Sequence, residues 1–254
     1  MTYKPETVLI TGATGDFGKA FSKRFAEIGC SLILHGRNSE KLDTLAKSLN
    51  VPCHICAFDM SDKDAMTANL DNLPKEFKNI DLLINNAGLA LGQEAAFNAN
   101  PDDWDTMIDI NTKALARMTN LILKGMVERK KGHIINIGST AGNYPYAGGH
   151  VYCATKAFVK QFSLSLRADL SGTNVRVTNI EPGMVETQFS LVRFKGDQSK
   201  ADAVYKGANA LTAEDVAESV FWAATLPPHF NVNRLEIMPT SQSFAGLSVY
   251  REQA

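Results

Sequence analysis

Two rhythms of apolar residues alternate along the chain. Short, nearly continuous apolar runs recur as "TVLIT" (7–11), "SLILH" (31–35), "CHICAF" (53–58), "IDLLINNAG" (80–88), "GHIINIGS" (132–139), "NVRVTNIEP" (174–182) and "RLEIMP" (234–239). Each reads as a strand buried on both faces. Between them apolar residues return at helical spacing, as Phe17, Ala20, Phe21, Phe25 and Ile28 do over 17–28. Start signals place further helices. Ser39 reads as the N-cap of a helix to about Leu49, and Ser61 with Asp64 as a capping pair for the next. Asn100-Pro101 opens a long helix to about Lys130, with Pro at its favoured first position. A helix over 150–170 follows the fifth strand, and Thr212 caps one to Leu226.

Buried strands alternating with amphipathic helices predict an α/β fold of doubly wound, Rossmann type. A parallel seven-stranded sheet carries helices on both faces, and ligands bind beyond the carboxyl ends of the strands. No linker, repeat or low-complexity run interrupts the pattern, so residues 1–254 are expected to form a single domain. The stretch 187–211 breaks the rhythm: it is polar, charged and weakly periodic, between a strand end and a helix. It is expected to be a substrate lid.

Composition narrows the classes of partner. A formal net charge of −1 gives no electrostatic case for nucleic acid or an anionic membrane. The first residues lack the apolar length of a signal peptide, and no run approaches a membrane span, so the cytoplasm is the expected compartment. The cysteines, at 30, 53, 56 and 153, do not make a metal site. "CHIC" (53–56) has no second pair, and residues three apart on a strand point to opposite faces. Reduced structural thiols and no metal are expected. Cys153 is expected to be packed, and His150 to be a loop histidine without a function.

Chemistry enters at "VLITGATGDFG" (8–18), a strand running into a glycine-rich turn and then a helix. Such turns hold a dinucleotide pyrophosphate on backbone N–H groups at a helix start. The expected cradle is Gly12, Thr14, Gly15, Asp16, Phe17 and Gly18. Gly12 permits the tight turn, Gly15 lets the backbone approach phosphate, and Gly18 lets the helix pack on the sheet. Asp16 is the discordant residue. A carboxylate facing phosphate would cost about 1 kcal/mol at surface-like dielectric, and several times that in a dry site. Turned outward, it would cap the helix instead, and that reading keeps the site able to bind nucleotide. About 20 positions on, where a carboxylate would hold the ribose of NAD, the chain has Gly36 and Arg37. An arginine suits a 2′-phosphate, so NADP is the expected cofactor. Further along, Ser139, Tyr152 and Lys156 stand out, with Tyr152 and Lys156 four apart on one helical face.

These motifs, with "NNAG" (85–88), Asn111 in "IDINTKA" and "PGMVET" (182–187), resemble in order and over almost the whole chain the short-chain dehydrogenase/reductase superfamily, one-domain branch. That branch usually reads TGxxxGxG, and "TGATGDFG" shifts the middle glycine by one position. The resemblance implies that Asp59 meets the adenine edge and that Asn86, Ala87 and Gly88 line the adenosine ribose, with Asn85 and Asn86 structural as well. It places Pro182, Gly183, Val185 and Thr187 beside the nicotinamide. It also implies that Tyr152 takes the substrate hydroxyl proton as hydride leaves the same carbon, while Ser139 binds that oxygen. Lys156 would hold the nicotinamide ribose, and Asn111 a water that relays protons to it. A tyrosine loses its proton near ~10 unaided; the Lys156 ammonium and the cofactor's positive ring are expected to lower that value.

Within the superfamily, "NNAGLALG", "NIGSTAGNYPYAGGHVYCATKAFVKQFSLSLRADL", "IEPGMVETQFSLVRFKGD" and "MPTSQSFAGL" resemble the NADP-dependent 3-hydroxy acid dehydrogenases, which act on serine, allo-threonine and related acids. Such a substrate needs a cation for its carboxylate. "VRFKGD" offers Arg193 and Lys195, and the fork of Arg193 makes it the preferred clamp, beside Ser139 and Tyr152. The resemblance to the superfamily implies a homo-oligomer, a tetramer ahead of a dimer. The competing readings are a broad carbonyl reductase of aldehydes and ketones, and a nucleotide-binding protein without turnover.

Overall fold

Seven parallel strands form one sheet in the computed structural model of the chain, which describes residues 3–245. In chain order they are β1 (Thr7–Ile10), β2 (Ser31–Gly36), β3 (Cys53–Ala57), β4 (Leu82–Asn85), β5 (Gly132–Ile137), β6 (Val175–Pro182) and β7 (Arg234–Ile237), and their order across the sheet is β3-β2-β1-β4-β5-β6-β7. The order reverses between β1 and β4, the switch point at which a doubly wound sheet opens a crevice for ligands.

The strands bury both faces, as continuous apolar runs require. Val8 and Ile10 of β1 join Phe21, Phe25, Leu42, Val216 and Val220 on one face, while Leu9 joins Met66, Met118, Met126 and Leu166 on the other. Cys53 packs into the first cluster and Cys56 into the second, so the two thiols of "CHIC" lie on opposite sides of the sheet. The first face is covered by α1 (Asp16–Glu27), α2 (Ser39–Lys47) and α9 (Ala213–Thr225), the second by α3 (Lys63–Asp71), α5 (Leu115–Glu128) and α6 (His150–Asp169). At the carboxyl ends of the central strands, Asn85, Asn136 and Asn179 stand side by side in register. The Asn85 amide donates to Asn136 and Thr119, both at 2.8 Å, so this asparagine is a buried cross-sheet brace.

Several boundaries differ from the sequence expectation. Asn38, not Ser39, caps α2, and Asp62, not Ser61, caps α3; in each case the side-chain carbonyl or carboxylate oxygen reaches the first free amides. Ser61 binds Asp59 instead. Asn100 and Thr212 cap as expected, Thr212 in a reciprocal box with Asp215. The long helix from Pro101 is interrupted: α4 (Pro101–Ile108) passes into a π-helical turn, Asp109–Ala114, before α5. The extra residue in the turn shifts the pattern by a single position, which a reading of one continuous helix over 101–130 does not resolve. The stretch 187–211 contains two short helices, α7 (Phe189–Arg193) and α8 (Gln198–Tyr205). Of "MPTSQSFAGL", Gly246 and Leu247 lie outside the described residues. Among the described residues no helix is long and apolar enough to cross a membrane.

Candidate active site

The first turn of the fold is shaped to admit an anion. Gly12 has φ +66°, a conformation that favours glycine, and a Cβ on Gly18 would run into the Gly12 carbonyl and the Ala13 backbone. Gly15, exposed, is the N-cap of α1 and has no side chain to bond the helix's first amides, which are left for an external acceptor. Neighbouring elements hold the turn. The Asn86 amide donates to the carbonyls of Thr11 (2.9 Å) and Gly12 (3.2 Å). The Thr11 hydroxyl accepts from the amides of Asn86 and Ala87. The Gly12 amide donates to Nδ1 of His35 at 3.3 Å, while Nε2 of the same ring meets the Phe58 carbonyl at 3.2 Å. Burial pushes the His35 pKa down to about 4, so the ring is neutral and Nδ1 accepts.

The remaining cradle residues divide. Thr14 lies beside Gly36, but the Phe17 ring packs inward on Phe21, leaving only its backbone for a ligand. Asp16 is the first residue of α1 and does not cap it, correcting one expectation. Its carboxylate accepts the Gln188 amide at 2.7 Å, from the segment across the crevice. At the end of β2, the Arg37 side chain is 77% exposed and 4.0 Å from Asp59. Asp59 is occupied by Ser61, whose hydroxyl and amide hold its carboxyl below the usual range.

At the centre lies the Tyr152 phenol, buried on α6. Ser139, extended at the end of β5, accepts from the Ala141 amide at 3.1 Å and donates to the Pro182 carbonyl at 3.4 Å. Lys156, one turn beyond Tyr152, donates from Nζ to the Ile137 carbonyl at 2.8 Å, with that nitrogen 5.8 Å from the centre of the Tyr152 ring. Gly88 keeps the space beside it open: a Cβ there would lie 3.6 Å from Lys156 Nζ and 3.1 Å from Asn111 Oδ1. Asn111 sits in the π turn, donates to the Leu89 carbonyl and the Thr155 hydroxyl, and accepts from the Leu89 amide. The wide turn thus bolts the α4–α5 run to the β4 exit and to α6.

The electrostatics differ from the sequence expectation. Burial raises the Tyr152 pKa to about 12 and pushes Lys156 down to about 8. The strongest influence drawing the phenol back down is Arg193, not Lys156, with Ser139 contributing less. Arg193 ends α7. Its guanidinium carbon lies 5.1 Å from the centre of the Tyr152 ring and 5.0 Å from that of Phe189. Nη2 donates to the Tyr146 hydroxyl at 2.8 Å, and Nε is buried without a partner among the described residues. Lys195, the other cation considered, pairs with Asp103 at 2.8 Å and is not directed to the phenol.

A protein-family comparison matches residues 6–197 to the model described as short chain dehydrogenase. The chain belongs to the short chain dehydrogenase family. It is 56% identical over 246 residues to the NADP-dependent 3-hydroxy acid dehydrogenase YdfG of Escherichia coli (strain K12), covering 96% of this chain and 99% of that one. To the serine 3-dehydrogenase of Agrobacterium fabrum it is 50% identical, also over 246 residues, covering 97% and 98%. Among solved structures, the closed form of serine dehydrogenase complexed with NADP+ superposes with a TM-score of 0.95 at 56% identity, covering 97% of this chain and 100% of that one.

Gly12, Gly18 and Asn86 meet at the first turn, Gly88 lies between Asn111 and Lys156, and Lys156 and Ser139 flank the Tyr152 phenol. Pro182, Gly183, Val185 and Thr187 follow in the segment that leaves β6, with Val185 bridged to Leu211 and Thr187 accepting the Phe189 amide. His150 starts α6 rather than lying in a loop, with Nε2 3.2 Å from the Glu94 carbonyl and its ring 5.0 Å from that of Trp104. Cys153 is packed, with its pKa raised by burial. Four contributors escaped the sequence reading: His35 behind the turn, Tyr146 and Phe189 around Arg193, and Gln242, which accepts the Met184 amide at 2.7 Å. The strand alternation that buries His35 was a usable signal; the other three depend on loops meeting in space.

His35 gives the dehydrogenase fold an acid sensitivity. Its folded pKa is depressed, so its contribution is complete above about pH 6.5 and is lost as the pH falls towards 4, while the unfolded chain takes up the proton. Between pH 7 and 5 this one ring should cost roughly 2 kcal/mol of stability. Urea unfolding of the wild type and of His35→Gln at both pH values checks it; equal losses in the two proteins would acquit His35.

Proposed function

We propose that this dehydrogenase oxidises small 3-hydroxy acids, of the serine and allo-threonine kind, at the hydroxyl-bearing carbon, with NADP+ as hydride acceptor. The observation that carries the substrate class is Arg193, a half-buried guanidinium over the Tyr152 phenol with an unpartnered N–H. A carboxylate one carbon removed from the reacting alcohol would satisfy that donor while its hydroxyl reached Tyr152. The names of the 56% and 50% identical relatives support the same class. The cofactor is supported by Arg37, exposed at the end of β2 where a 2′-phosphate would lie, and by the uncapped amides at the start of α1.

The cofactor supplies the hydride-accepting carbon and a positive ring when bound. The chain supplies the rest. Tyr152 takes the substrate hydroxyl proton, and Ser139 hydrogen-bonds the same oxygen as charge builds on it. Lys156 Nζ, beside Gly88, holds the ribose hydroxyls, and Asn111 fixes the β4 exit against α6 so that this nitrogen keeps its place. Residues 187–211 act as the lid that brings Arg193 to the alcohol. The protein is expected in the cytoplasm as a homotetramer, in which Phe158, 41% exposed on α6 and stacked on the partly buried Phe162, is an apolar residue for a second copy to cover.

Initial rates of nucleotide reduction with L-serine, L-allo-threonine, 3-hydroxyisobutyrate and a neutral secondary alcohol test the reading. Acids should turn over with NADP+ in preference to NAD+, and Tyr152→Phe should lower turnover by about 10²–10⁴-fold. Turnover confined to neutral alcohols would instead make the protein a general carbonyl reductase. Arg193→Ala should raise KM for the acids about tenfold or more over its effect on the neutral alcohol; equal effects would remove the clamp. Arg37→Asp should move preference towards NAD+, and an unchanged ratio would free Arg37 of that role.

A further inference from the structure

We propose that Asp16 is a positioning residue for the substrate clamp: from the nucleotide-binding turn it holds the leading end of the lid helix and so sets where Arg193 stands over Tyr152. The inference rests on the carboxylate-clamp reading of Arg193 and assigns a role to the residue in the glycine-rich turn that departs from its family's pattern.

The geometry is a short lever. Asp16 Oδ2 accepts from the Gln188 amide at 2.7 Å. Gln188 is the N-cap of α7, and its carbonyl accepts the Val192 amide, so the carboxylate grips the residue from which the single helical turn to Arg193 is built. The other polar ties near this end belong to the lid: Ser190 binds Tyr205, whose hydroxyl also reaches the Thr187 carbonyl, and Thr187 accepts the Phe189 amide. Those bonds shape the lid without fixing it to the sheet. At the far end the lid is fixed to the rim of the crevice, by the Gly92 amide on the Arg193 carbonyl and by Lys195 on Asp103. With Asp16, α7 is held at both ends, and its Phe189 ring lies 5.7 Å from that of Tyr152.

A glycine at position 16 would have no acceptor to offer. A carboxylate turned towards the lid also spends one of its oxygens on an amide rather than facing the turn's anion site. The chemistry that would bring a negative group close to phosphate is thereby used to close the crevice.

The test uses Asp16→Ala, Asp16→Gly and Asp16→Asn in the full chain, with two readouts. The first is hydrogen exchange of the peptide covering Gln188 and α7 in the nucleotide-free protein. Ala and Gly should lose protection there, and Asn, which keeps an acceptor oxygen, should retain most of it. The second is steady-state kinetics with L-serine and a neutral secondary alcohol. Ala and Gly should raise KM for L-serine by about tenfold relative to the neutral alcohol, and Asn should restore it to within about threefold. In the double variant Asp16→Ala/Arg193→Ala the two effects should fall short of additive. If Arg193→Ala separates acid from neutral alcohol while Asp16→Ala moves both substrates equally, the positioning role is overturned and the clamp survives. If Arg193→Ala fails to separate them, the clamp reading falls and takes this role with it. Unchanged exchange at α7 in Asp16→Ala would overturn the proposal whatever the kinetics.

Discussion

In the proposed mechanism the buried phenol of Tyr152 gives up its proton, and that needs positive charge gathered around it because burial opposes the charged form. Tyr152 feels that opposition in full: left to its surroundings it would ionise only near pH 12. The fold brings three groups to it by three devices. Lys156 comes by helical repeat, one turn along α6. Ser139 comes by topology, beyond the carboxyl end of β5, the next strand after β4 in the sheet. Arg193 comes from a separate segment that reaches over the crevice from β6. The first two are fixed once the sheet and α6 have formed. The third depends on how the segment lies.

That dependence explains the polar fastening of residues 187–211. A short helix such as α7 has little propensity to stand alone, and Val192 on it is exposed. Its position is set by contacts at its ends, Asp16 on one side and Gly92 with Asp103 on the other. The anchors come from three places: the first turn of α1 (Asp16), the loop that follows β4 (Gly92) and the first turn of α4 (Asp103). Asp16 in the glycine-rich turn and α7, which carries Arg193, are therefore neighbours in the structure although they are far apart in the chain.

The sheet, its seven strands and most helix starts were legible because burial on both faces leaves a long, unbroken apolar record, as in "SLILH" and "GHIINIGS". Motif order singled out Asn86 and Gly12, which meet in the first turn, and Ser139, Tyr152 and Lys156, which meet around the phenol. Three kinds of feature were not legible. Neighbouring polar residues compete for the same helix cap, and Asn38 and Asp62 win over Ser39 and Ser61 by one position. The π turn at Asp109–Ala114 shifts the pattern by one residue inside what reads as a single long helix. The partner of Asp16 lies 172 positions away; a spacing argument allows capping or repulsion and has no means of nominating Gln188.

The balance of charge inside the crevice carries one more consequence. Burial shifts Tyr152 and Lys156 towards their neutral forms, the phenol up to about 12 and the ammonium down to about 8. Between those values the protein alone keeps both groups uncharged, so the pair does not by itself form the tyrosinate–ammonium couple that helical spacing suggests. That balance already includes the pull of Arg193, so a further cation has to tip the phenol, and in the proposed mechanism a bound nicotinamide ring would supply it. A substrate carboxylate on Arg193 would offset part of that guanidinium's pull, leaving more of the task to the ring. Under the proposed clamp, substrate binding and proton removal therefore pull in opposite directions on Arg193, and a bound ring would have to outweigh the carboxylate before the phenol acts as a base.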